Sequence, residues 1–365
     1  MEMGKIALAC GSLSRGGAER ITLYLAQFFQ ENGRDVVIVT GGIGKNEYPI
    51  PKGIKRISLN TDKHTNAVKS LISGASSFRK IIREEELDLV IILGISVCSY
   101  IIPGCIGTKI KIIVSERNDP IHYAGRNITK NLSRFLMRFA DGYVFQTKEV
   151  KKFYHKICRG RGKVIFNPLL TKNLPNAYLE KKEKIVVSVG RLDPQKNQKL
   201  LITAFSKIAK RHPEYKLIIY GEGKLRTELE RLVSALDLKE RIELPGNKLD
   251  VLEYIKRSQI FVLSSDFEGM PNALIEAMAM GLACISTDCP SGGPRALIEN
   301  GKNGVLVQTG NSKEMAEAIE VLMDDKDYRD KISMAATDIR KRLDVNKIGK
   351  EWMDYADLIL GGRKA

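Results

Sequence analysis

Residues 185–220 read IVVSVGRLDPQKNQKLLITAFSKIAKRHPEYKLIIY, and this stretch decides the fold. A short run rich in β-branched residues, Ile185–Val189, precedes a helix-length amphipathic segment at about Gln198–Lys210 and a second such run, Lys216–Tyr220. A strand, a helix and a strand in this order form a βαβ unit, in which the two strands lie parallel. We therefore expect an α/β protein built on parallel sheets.

The same alternation occurs in both halves of the chain and restarts after a linker at about residues 173–184. Because 365 residues exceed what one hydrophobic core usually organises, we expect two doubly wound, Rossmann-like domains, at 1–175 and 180–345. Open parallel sheets bind ligands at the carboxyl ends of their strands, which predicts a cleft between the domains. The other expected strands are Ile6–Cys10, Val36–Thr40, Ile54–Ser58, Leu89–Leu93, Lys111–Ser115, Gly142–Gln146, Arg241–Leu244, Ile260–Leu263 and Ala283–Ser286.

Composition excludes several classes of protein. With 43% hydrophobic and 28% charged residues, the chain is an ordinary folded protein and not a disordered one. Its six cysteines form no C-x-x-C pair, so we expect reduced core residues and no metal centre. The uncharged residues 89–108 contain several Gly and Ser, which favours a buried strand and a short helix over a membrane span. The start of the chain shows no secretion signal, which predicts a cytoplasmic protein.

Charge is distributed unevenly along the chain. Residues 1–178 hold 28 Lys and Arg against 14 Asp and Glu, whereas residues 179–365 hold 31 against 29. Such a field attracts anionic partners, among them nucleic acid, acidic lipid headgroups and diphosphates. Within it, Arg126, Lys130, Arg134 and Arg138 recur every four residues on a candidate helix with large apolar residues. This spacing predicts a helix on an anionic membrane surface; a solvated helix packed on its own domain is the alternative.

Two loops that follow predicted strands could bind phosphate. Gly16 and Gly17 open a helix after the first strand, where backbone N–H groups and the helix N-terminus can approach an anion. The loop lacks G-x-G-x-x-G spacing, so a dinucleotide site is not indicated, and a structural turn is equally compatible. In the loop Gly190–Gln198, the two cations Arg191 and Lys196 could clamp a diphosphate from two sides.

A third segment, DFEGMPNALIEA at residues 266–277, combines two carboxylates with a helix start. Pro271 suits the first turn of a helix, whose leading N–H groups remain available to a ligand. Glu268 falls on the loop before this helix and Glu276 on its second turn, where carboxylates can accept hydrogen bonds from sugar and ribose hydroxyls.

In these motifs and their order the chain resembles the family 4 glycosyltransferases of the GT-B fold. The resemblance implies that Arg191 and Lys196 hold the diphosphate of a nucleotide-sugar donor, with the backbone of Gly16 and Gly17 closing on it from the first domain. It implies that Glu268 contacts the donor sugar and stabilises an oxocarbenium-like transition state, and that Glu276 binds the ribose. Further donor-binding residues implied in this way are Asn197, Glu222, Gly246, Gly269, Met270, Pro271, Asn272, Ala273 and Leu274.

The resemblance also implies a reaction. A hexosyl or N-acetylhexosaminyl group would pass from a UDP-sugar, with retention and without a metal or other cofactor, to a polyprenyl-diphosphate-linked glycan in polysaccharide biosynthesis. The acceptor hydroxyl would attack on the face from which the diphosphate departs, and cations would stabilise the leaving group. A sugar-nucleotide epimerase or hydrolase of the same fold and a basic nucleic-acid-binding protein are the alternatives.

The implied location is the cytoplasmic face of the cell membrane, where the protein would associate peripherally. No obligate protein partner is expected. Nucleic acid is not expected either, because no zinc spacing or RNA-binding motif accompanies the basic residues.

One departure from the family concerns the acceptor side. Many relatives carry Ser-Glu-His after the fifth strand, whereas this chain has Ser115-Glu116-Arg117. We assign Glu116 to positioning of the acceptor or sugar and Arg117 to an acceptor phosphate. A C-terminal helix at about 346–362 is expected to pack back on the first domain, as the resemblance implies.

Overall fold

The computed structural model describes residues 4–14, 16–61, 67–122, 127–170, 174–177 and 181–361. The chain divides into two compact units, the first formed by Met1–Pro168 with Asn346–Ala365 and the second by Leu169–Val345. Each unit contains one parallel sheet, of seven strands in the first and six in the second. The expected α/β fold with two Rossmann-like sheets is confirmed.

The first unit has the sheet order β3-β2-β1-β4-β5-β6-β7. Its strands are β1 (Lys5–Cys10), β2 (Val36–Thr40), β3 (Lys55–Ser58), β4 (Leu87–Leu93), β5 (Lys111–Glu116), β6 (Gly142–Phe145) and β7 (Gly162–Val164). The helices between them are α1 (Gly17–Glu31), α2 (Ala67–Glu84), α3 (Cys98–Cys105), α4 (Asn127–Leu136), α5 (Lys148–Phe153) and α6 (His155–Cys158). The order reverses at β1 and β4, which is where doubly wound sheets form their ligand crevice.

Helices cover both faces of this sheet, and the central strands are apolar on both faces for that reason. Ala7 of β1 belongs to one buried cluster, together with Val90. Its neighbour Leu8 belongs to the opposite cluster, together with Ile91 and Ile113. Side chains alternate across a strand, so a nearly continuous apolar run such as IALA marks a strand buried on two sides.

The second unit has the sheet order β10-β9-β8-β11-β12-β13. Its strands are β8 (Glu183–Val189), β9 (Lys216–Tyr220), β10 (Ile242–Gly246), β11 (Ser258–Leu263), β12 (Ala283–Thr287) and β13 (Val305–Val307). Its helices are α7 (Gln198–Ile208), α8 (Arg226–Ala235), α9 (Val251–Ile255), α10 (Asn272–Ala279), α11 (Gly293–Leu297), α12 (Ser312–Asp324), α13 (Lys326–Ala336) and α14 (Ile339–Arg342). Residues 185–220 form the expected βαβ unit, which consists of β8, α7 and β9.

The last helix, α15 (Val345–Leu360), returns to the first unit. Ile348, Trp352, Tyr355 and Ile359 join the buried cluster that contains Ile6 and Leu8 of β1. The hydroxyl of Tyr355 accepts a hydrogen bond from the backbone N–H of Tyr143 at 2.9 Å. The end of the chain therefore completes the core of the unit in which the chain begins.

Residues 89–108 form the end of β4, a short 3₁₀ turn and α3. Of the helices in the described ranges, none combines the length and the apolar character that crossing a bilayer needs. All six cysteines are buried and unbonded, as expected for reduced core residues.

Candidate active site

Two loops of the second unit bring the predicted catalytic residues together. One follows β8 and carries Arg191 and Lys196; the other follows β11 and carries Glu268. Strands β8 and β11 are parallel neighbours in the sheet. Their carboxyl ends therefore meet at one edge, where open α/β sheets bind ligands.

Lys196 and Glu268 form an ion pair at this edge, between Nζ of the lysine and Oε1 of the carboxylate. The carboxylate is buried, since Glu268 is only 6% exposed. The hydroxyl of Ser265 donates a second hydrogen bond to Oε1 at 2.6 Å. The pair fixes a negative and a positive group side by side in a protected place, where charge stabilisation is stronger than in water.

Four further hydrogen bonds lock the two loops to each other. The backbone N–H of Asp266 donates to the carbonyl of Gln195 at 2.9 Å. The amide of Gln195 returns a hydrogen bond to the carbonyl of Phe267 at 3.0 Å. The hydroxyl of Ser264 donates to the carbonyl of Lys196 at 2.9 Å, and Asn197 Nδ2 donates to Asp266 Oδ1 at 2.7 Å. These contacts hold the ion pair in a defined geometry.

Asn197 has a structural function in this loop besides its predicted donor contact. It adopts the left-handed backbone region at φ 42°, which asparagine tolerates better than most residues. Its side-chain oxygen caps helix α7 by accepting from the N–H of Leu200 at 3.2 Å. Both polar ends of the side chain therefore hold the protein's own backbone and side chains.

A third segment, between β12 and α11, supports the loop that carries Glu268. The hydroxyl of Ser291 donates to the carbonyl of Glu268. Gly293 packs against the carbonyl of Gly269 so closely that a Cβ at residue 293 would lie 1.6 Å from that oxygen. We did not predict these contacts from the sequence. The run Pro-Ser-Gly-Gly at residues 290–293, which follows a strand, was the available signal.

Arg191 lies at the same edge but faces solvent. Its side chain is 74% exposed and pairs with Asp193 at 3.3 Å, from Nη2 to Oδ2. An exposed ion pair of this kind is weak. The guanidinium can therefore exchange the carboxylate for a stronger bidentate anion such as a phosphate.

Helix α10 begins at Asn272, with Pro271 at the N-cap. Pro271, expected in the first turn of the helix, lies directly before that turn, since at ψ 106° its backbone is extended and not helical. The N–H groups of Asn272, Ala273 and Leu274 lie in the first turn, where the helix cannot pair them. The side chain of Leu274 is fully buried in the core, so this residue offers a ligand only its backbone.

Three other predicted residues lie in this helix or directly before it. Met270 is buried beside Pro271, whereas Gly269 and Glu276 are half-buried. Glu276 lies on the second turn of α10, as the spacing predicts. The structure therefore places Glu268 on the loop before α10 and Glu276 on α10 itself.

Glu222 and Gly246 form a separate group at the ends of β9 and β10, on the far side of β8 from β11. Glu222 binds Arg226 through both carboxylate oxygens, at 2.6 and 2.8 Å. These hydrogen bonds hold the pKa of Glu222 below its usual value. Gly246 has φ 82°, and a Cβ there would lie 2.8 Å from Glu222 Oε1.

In the first unit, Gly16 and Gly17 occupy the start of α1. Gly16 is its N-cap and Gly17 its first residue, so the two glycines open the helix as the sequence predicts. The carboxylate of Glu19 lies close to Gly16, where a Cβ would meet Oε2 at 2.4 Å. Burial raises the pKa of Glu19. The helix start already holds a carboxylate, which is consistent with an affinity for anions.

Glu116 ends strand β5 and is fully buried. Its Oε1 accepts the N–H groups of Arg117 and Asn118 at 2.9 and 3.0 Å, and Oε2 accepts from the hydroxyl of Tyr154 at 3.1 Å. Burial raises the pKa of Glu116 to about 7. The carboxyl therefore shapes its own loop, and any effect on the acceptor passes through that loop.

Arg117 is also buried, at 6% exposure. Nη2 donates to Asn167 Oδ1, which also accepts from Gln146 Nε2 at 2.7 Å. Nε and Nη1 have no hydrogen-bond partner within the described ranges. Burial lowers the pKa of Arg117 to about 10, so the guanidinium is charged at neutral pH. A buried cation with two such donor atoms is suited to binding an anion. The sequence did not predict that Asn167 and Gln146 would hold the guanidinium in place.

The predicted basic stripe on α4 is only partly outward-facing. Arg126 lies outside the described residues. Lys130 donates to the carbonyl of Ile121 at 2.9 Å, and Arg134 donates to the carbonyl of Pro120. Arg138 is exposed. The side chains of Lys130 and Arg134 therefore turn back to hold the preceding loop. The membrane contact of this basic stripe stays a prediction.

These observations define a class: a protein of two parallel-sheet domains with a cation and a carboxylate paired at the carboxyl edge of the second sheet. The crystal structure of Anabaena HepE in complex with UDP and glucose has the same fold, with a TM-score of 0.82 at 18% identity, over 97% of this chain and 99% of that one. The family models match in succession: Glycosyltransferase Family 4 over residues 15–171 and Glycosyl transferases group 1 over residues 171–338. The chain belongs to this glycosyltransferase family.

Two sequence relatives are similar over most of their length. An uncharacterised glycosyltransferase of Methanocaldococcus jannaschii is 31% identical, over 75% of this chain and 80% of that protein. An α-1,4-N-acetyl-D-galactosaminyltransferase of Campylobacter jejuni is 27% identical, over 96% and 98%. The latter is named for a substrate in which diphospho-undecaprenol carries the glycan.

Proposed function

We propose that this glycosyltransferase moves a hexosyl or N-acetylhexosaminyl group from a UDP-sugar to a polyprenyl-diphosphate-linked glycan, with retention of anomeric configuration. The observation that carries the proposal is the buried ion pair of Lys196 and Glu268 at the carboxyl edge of the second sheet. A lysine neutralised by a carboxylate can transfer its interaction to a donor phosphate. The carboxylate is then left to face the sugar, where positive charge develops in the transition state.

The residues present supply what such a transfer needs. Lys196 and the exposed Arg191 would stabilise charge on the departing diphosphate, and the N–H groups at the start of α10 would bind sugar hydroxyls or phosphate. The acceptor hydroxyl would attack from the side on which the diphosphate leaves, and a phosphate oxygen would take its proton. No protein nucleophile and no metal enter this scheme.

The first unit supports the acceptor half of the proposal. Arg117 presents two guanidinium donors without partners in the described part of the chain. A diphosphate is the group that such a buried, permanently charged fork binds well. The Campylobacter relative is named for an acceptor with this chemistry. Residues 1–178 carry a net +14, which favours work at the anionic, cytoplasmic face of a membrane.

The test compares Lys196→Ala and Glu268→Gln with the control Lys199→Ala. Lys199 is an exposed lysine on α7, three residues from Lys196. With a panel of UDP-, GDP- and ADP-sugars and extracted polyprenyl-diphosphate glycan, we expect transfer from a UDP-sugar only. Each site variant should lower kcat/KM about 10²–10³-fold, the usual effect of losing one charge-stabilising group. The control should match the wild type.

Unchanged turnover in both site variants would reject the assigned roles. Free sugar released without acceptor would indicate a hydrolase instead. NMR of the product bond decides retention, since an inverted linkage is incompatible with same-face attack.

A further inference from the structure

Four exposed apolar side chains lie on the first unit, within or next to α4 and α5. Phe135 and Phe139 are 52% and 54% exposed, Phe153 is 45% exposed and Ile121 is 58% exposed. Single exposed apolar residues are common on proteins, but a contiguous group marks an interaction surface. We call these four residues the apolar cluster.

Two arginines contact the cluster, Arg134 of α4 and Arg138 of the short 3₁₀ turn that follows it. The guanidinium of Arg134 donates to the carbonyl of Pro120, beside Ile121, and lies 5.3 Å from the ring centroid of Phe153. The guanidinium of Arg138 lies 5.7 Å from the ring centroid of Phe135. Phe135 and Phe139 pack edge to face at 6.1 Å. The three phenylalanine rings thus have defined neighbours, and Arg134 joins the ring of Phe153 to the loop that carries Ile121.

Cations surround the cluster. Residues 129–164 contain ten Lys and Arg and only two Asp and Glu. Arg138 is one of the exposed cations near these residues. Helices α5 and α6 add the exposed lysines Lys148, Lys152 and Lys156. Large apolar side chains bordered by lysines and arginines are the composition of a surface that enters the headgroup region of an anionic bilayer.

The geometry argues against nucleic acid as the partner. Single-stranded nucleic acid stacks its bases on open aromatic faces. Here Arg138 covers a face of Phe135, Arg134 covers a face of Phe153, and Phe139 presents an edge-to-face contact to Phe135. Insertion into a bilayer does not require an open ring face, because it depends on burial of the apolar side chain and not on stacking.

We propose that the apolar cluster and its rim of lysines form the membrane anchor of this protein, and that they dock on anionic phospholipid. This surface differs from the basic stripe expected from the sequence, since the contact is made by phenylalanines and by lysines of α5 and α6. The inference rests on the proposed function only in that a lipid-linked acceptor gives the docking a purpose.

The experiment is co-sedimentation with vesicles of phosphatidylglycerol and phosphatidylcholine, compared with vesicles of phosphatidylcholine alone. The wild type should bind the anionic vesicles and release at high salt. The variant Phe135→Ser/Phe139→Ser/Phe153→Ser should bind at least tenfold more weakly. Its control, Val321→Ser/Met334→Ser, removes exposed apolar side chains from the second unit, at 50% and 71% exposure, and should bind normally.

A charge variant keeps the test decisive if the serine variant folds poorly. Lys148→Gln/Lys152→Gln/Lys156→Gln should lose roughly fivefold in vesicle affinity per cation. The matched control, Lys210→Gln/Lys239→Gln/Lys313→Gln, changes exposed lysines of the second unit. The proposal would be overturned if the triple serine variant and the Lys148, Lys152 and Lys156 variant both bound vesicles like the wild type. So would salt-sensitive binding of the wild type to RNA without any binding to vesicles. Neither assay uses donor or acceptor, so the outcome is independent of sugar transfer.

Discussion

Glu116 is a carboxyl whose burial should be visible in the pH dependence of stability. Its pKa is about 7 in the folded protein, against an ordinary value of 4.5. As pH rises above about 4.5, the unfolded chain releases this proton while the folded protein keeps it until about 7. The folded state therefore binds more protons in this window, and stability falls as pH rises through it.

We predict that Glu116→Gln removes this part of the pH dependence. Glutamine can accept the same N–H groups of Arg117 and Asn118 but cannot ionise. Between about pH 5 and pH 8, the free energy of unfolding of the wild type should fall by up to about 3 kcal/mol more than that of the variant. Urea titrations at both pH values measure the difference. Parallel pH profiles for the two proteins would contradict the prediction.

At the scale of single residues, the sequence predicts groups with strong chemistry better than the groups that hold them. Lys196 and Glu268 were predicted because a family motif surrounds each of them. Ser265, Gln195 and Ser291 were not predicted, although all three bind the loop or carboxylate of Glu268. The hydrogen bonds of Gln195 and Ser291 join residues 72 and 23 positions apart, and such contacts leave no periodic pattern in the sequence. Ser265 lies only three residues before Glu268, but a serine at that spacing is not by itself a signal for this contact.

At the scale of elements, the segment between β12 and α11 is a support for the catalytic loop. We predict that Ser291→Ala lowers kcat five- to tenfold and changes KM little. Loss of one hydrogen bond is worth about 1 kcal/mol, and here that bond fixes the carbonyl of Glu268, not a substrate group. The measurement is a steady-state comparison of kcat and KM, with melting temperature as a check on folding.

Ser234→Ala is the matched control, since Ser234 also donates to a backbone carbonyl, that of Glu230, but on the exposed helix α8. It should leave kcat unchanged. Gly293→Ala should be more damaging than Ser291→Ala, because the added Cβ would clash with the carbonyl of Gly269. An effect of Ser291→Ala on KM alone would show that the hydroxyl contacts substrate.

The accuracy of the predicted elements follows their length and burial. Strands such as β1 and β11 were predicted within two residues, because each is a short, buried and nearly continuous apolar run. Strands β7 and β13 were missed, since each has three residues and no alternation can be recognised in so few. On α4 the four-residue spacing of cations predicts a stripe, but spacing alone does not fix where each side chain ends. A long cationic side chain can turn back to a carbonyl, as Arg134 does.

At the scale of the whole molecule, the sequence pattern predicts two sheets because the alternation restarts, but strand order and the path of α15 are not encoded in periodicity. The return of α15 depends on particular side chains. Trp352 is fully buried, and Gly349 allows α15 to approach Tyr24 and Phe28 of α1 so closely that a Cβ would lie 2.4 Å from the hydroxyl of Tyr24. The last residues of the chain are thus part of the first core.

This arrangement predicts that the two units respond separately to core substitutions. Trp352→Ala should lower the stability of the first unit by about 3–5 kcal/mol, the usual effect of truncating a buried aromatic residue. Phe205→Ala is the matched variant in the second unit, where Phe205 is fully buried in its core. Differential scanning calorimetry should show Trp352→Ala lowering one thermal transition and Phe205→Ala the other.

Added UDP should raise only the transition that Phe205→Ala lowers, because a ligand stabilises the state that binds it and Lys196 belongs to that unit. One shared transition, shifted equally by both variants, would show that the units unfold together and that the C-terminal helix does not set the stability of the first unit alone.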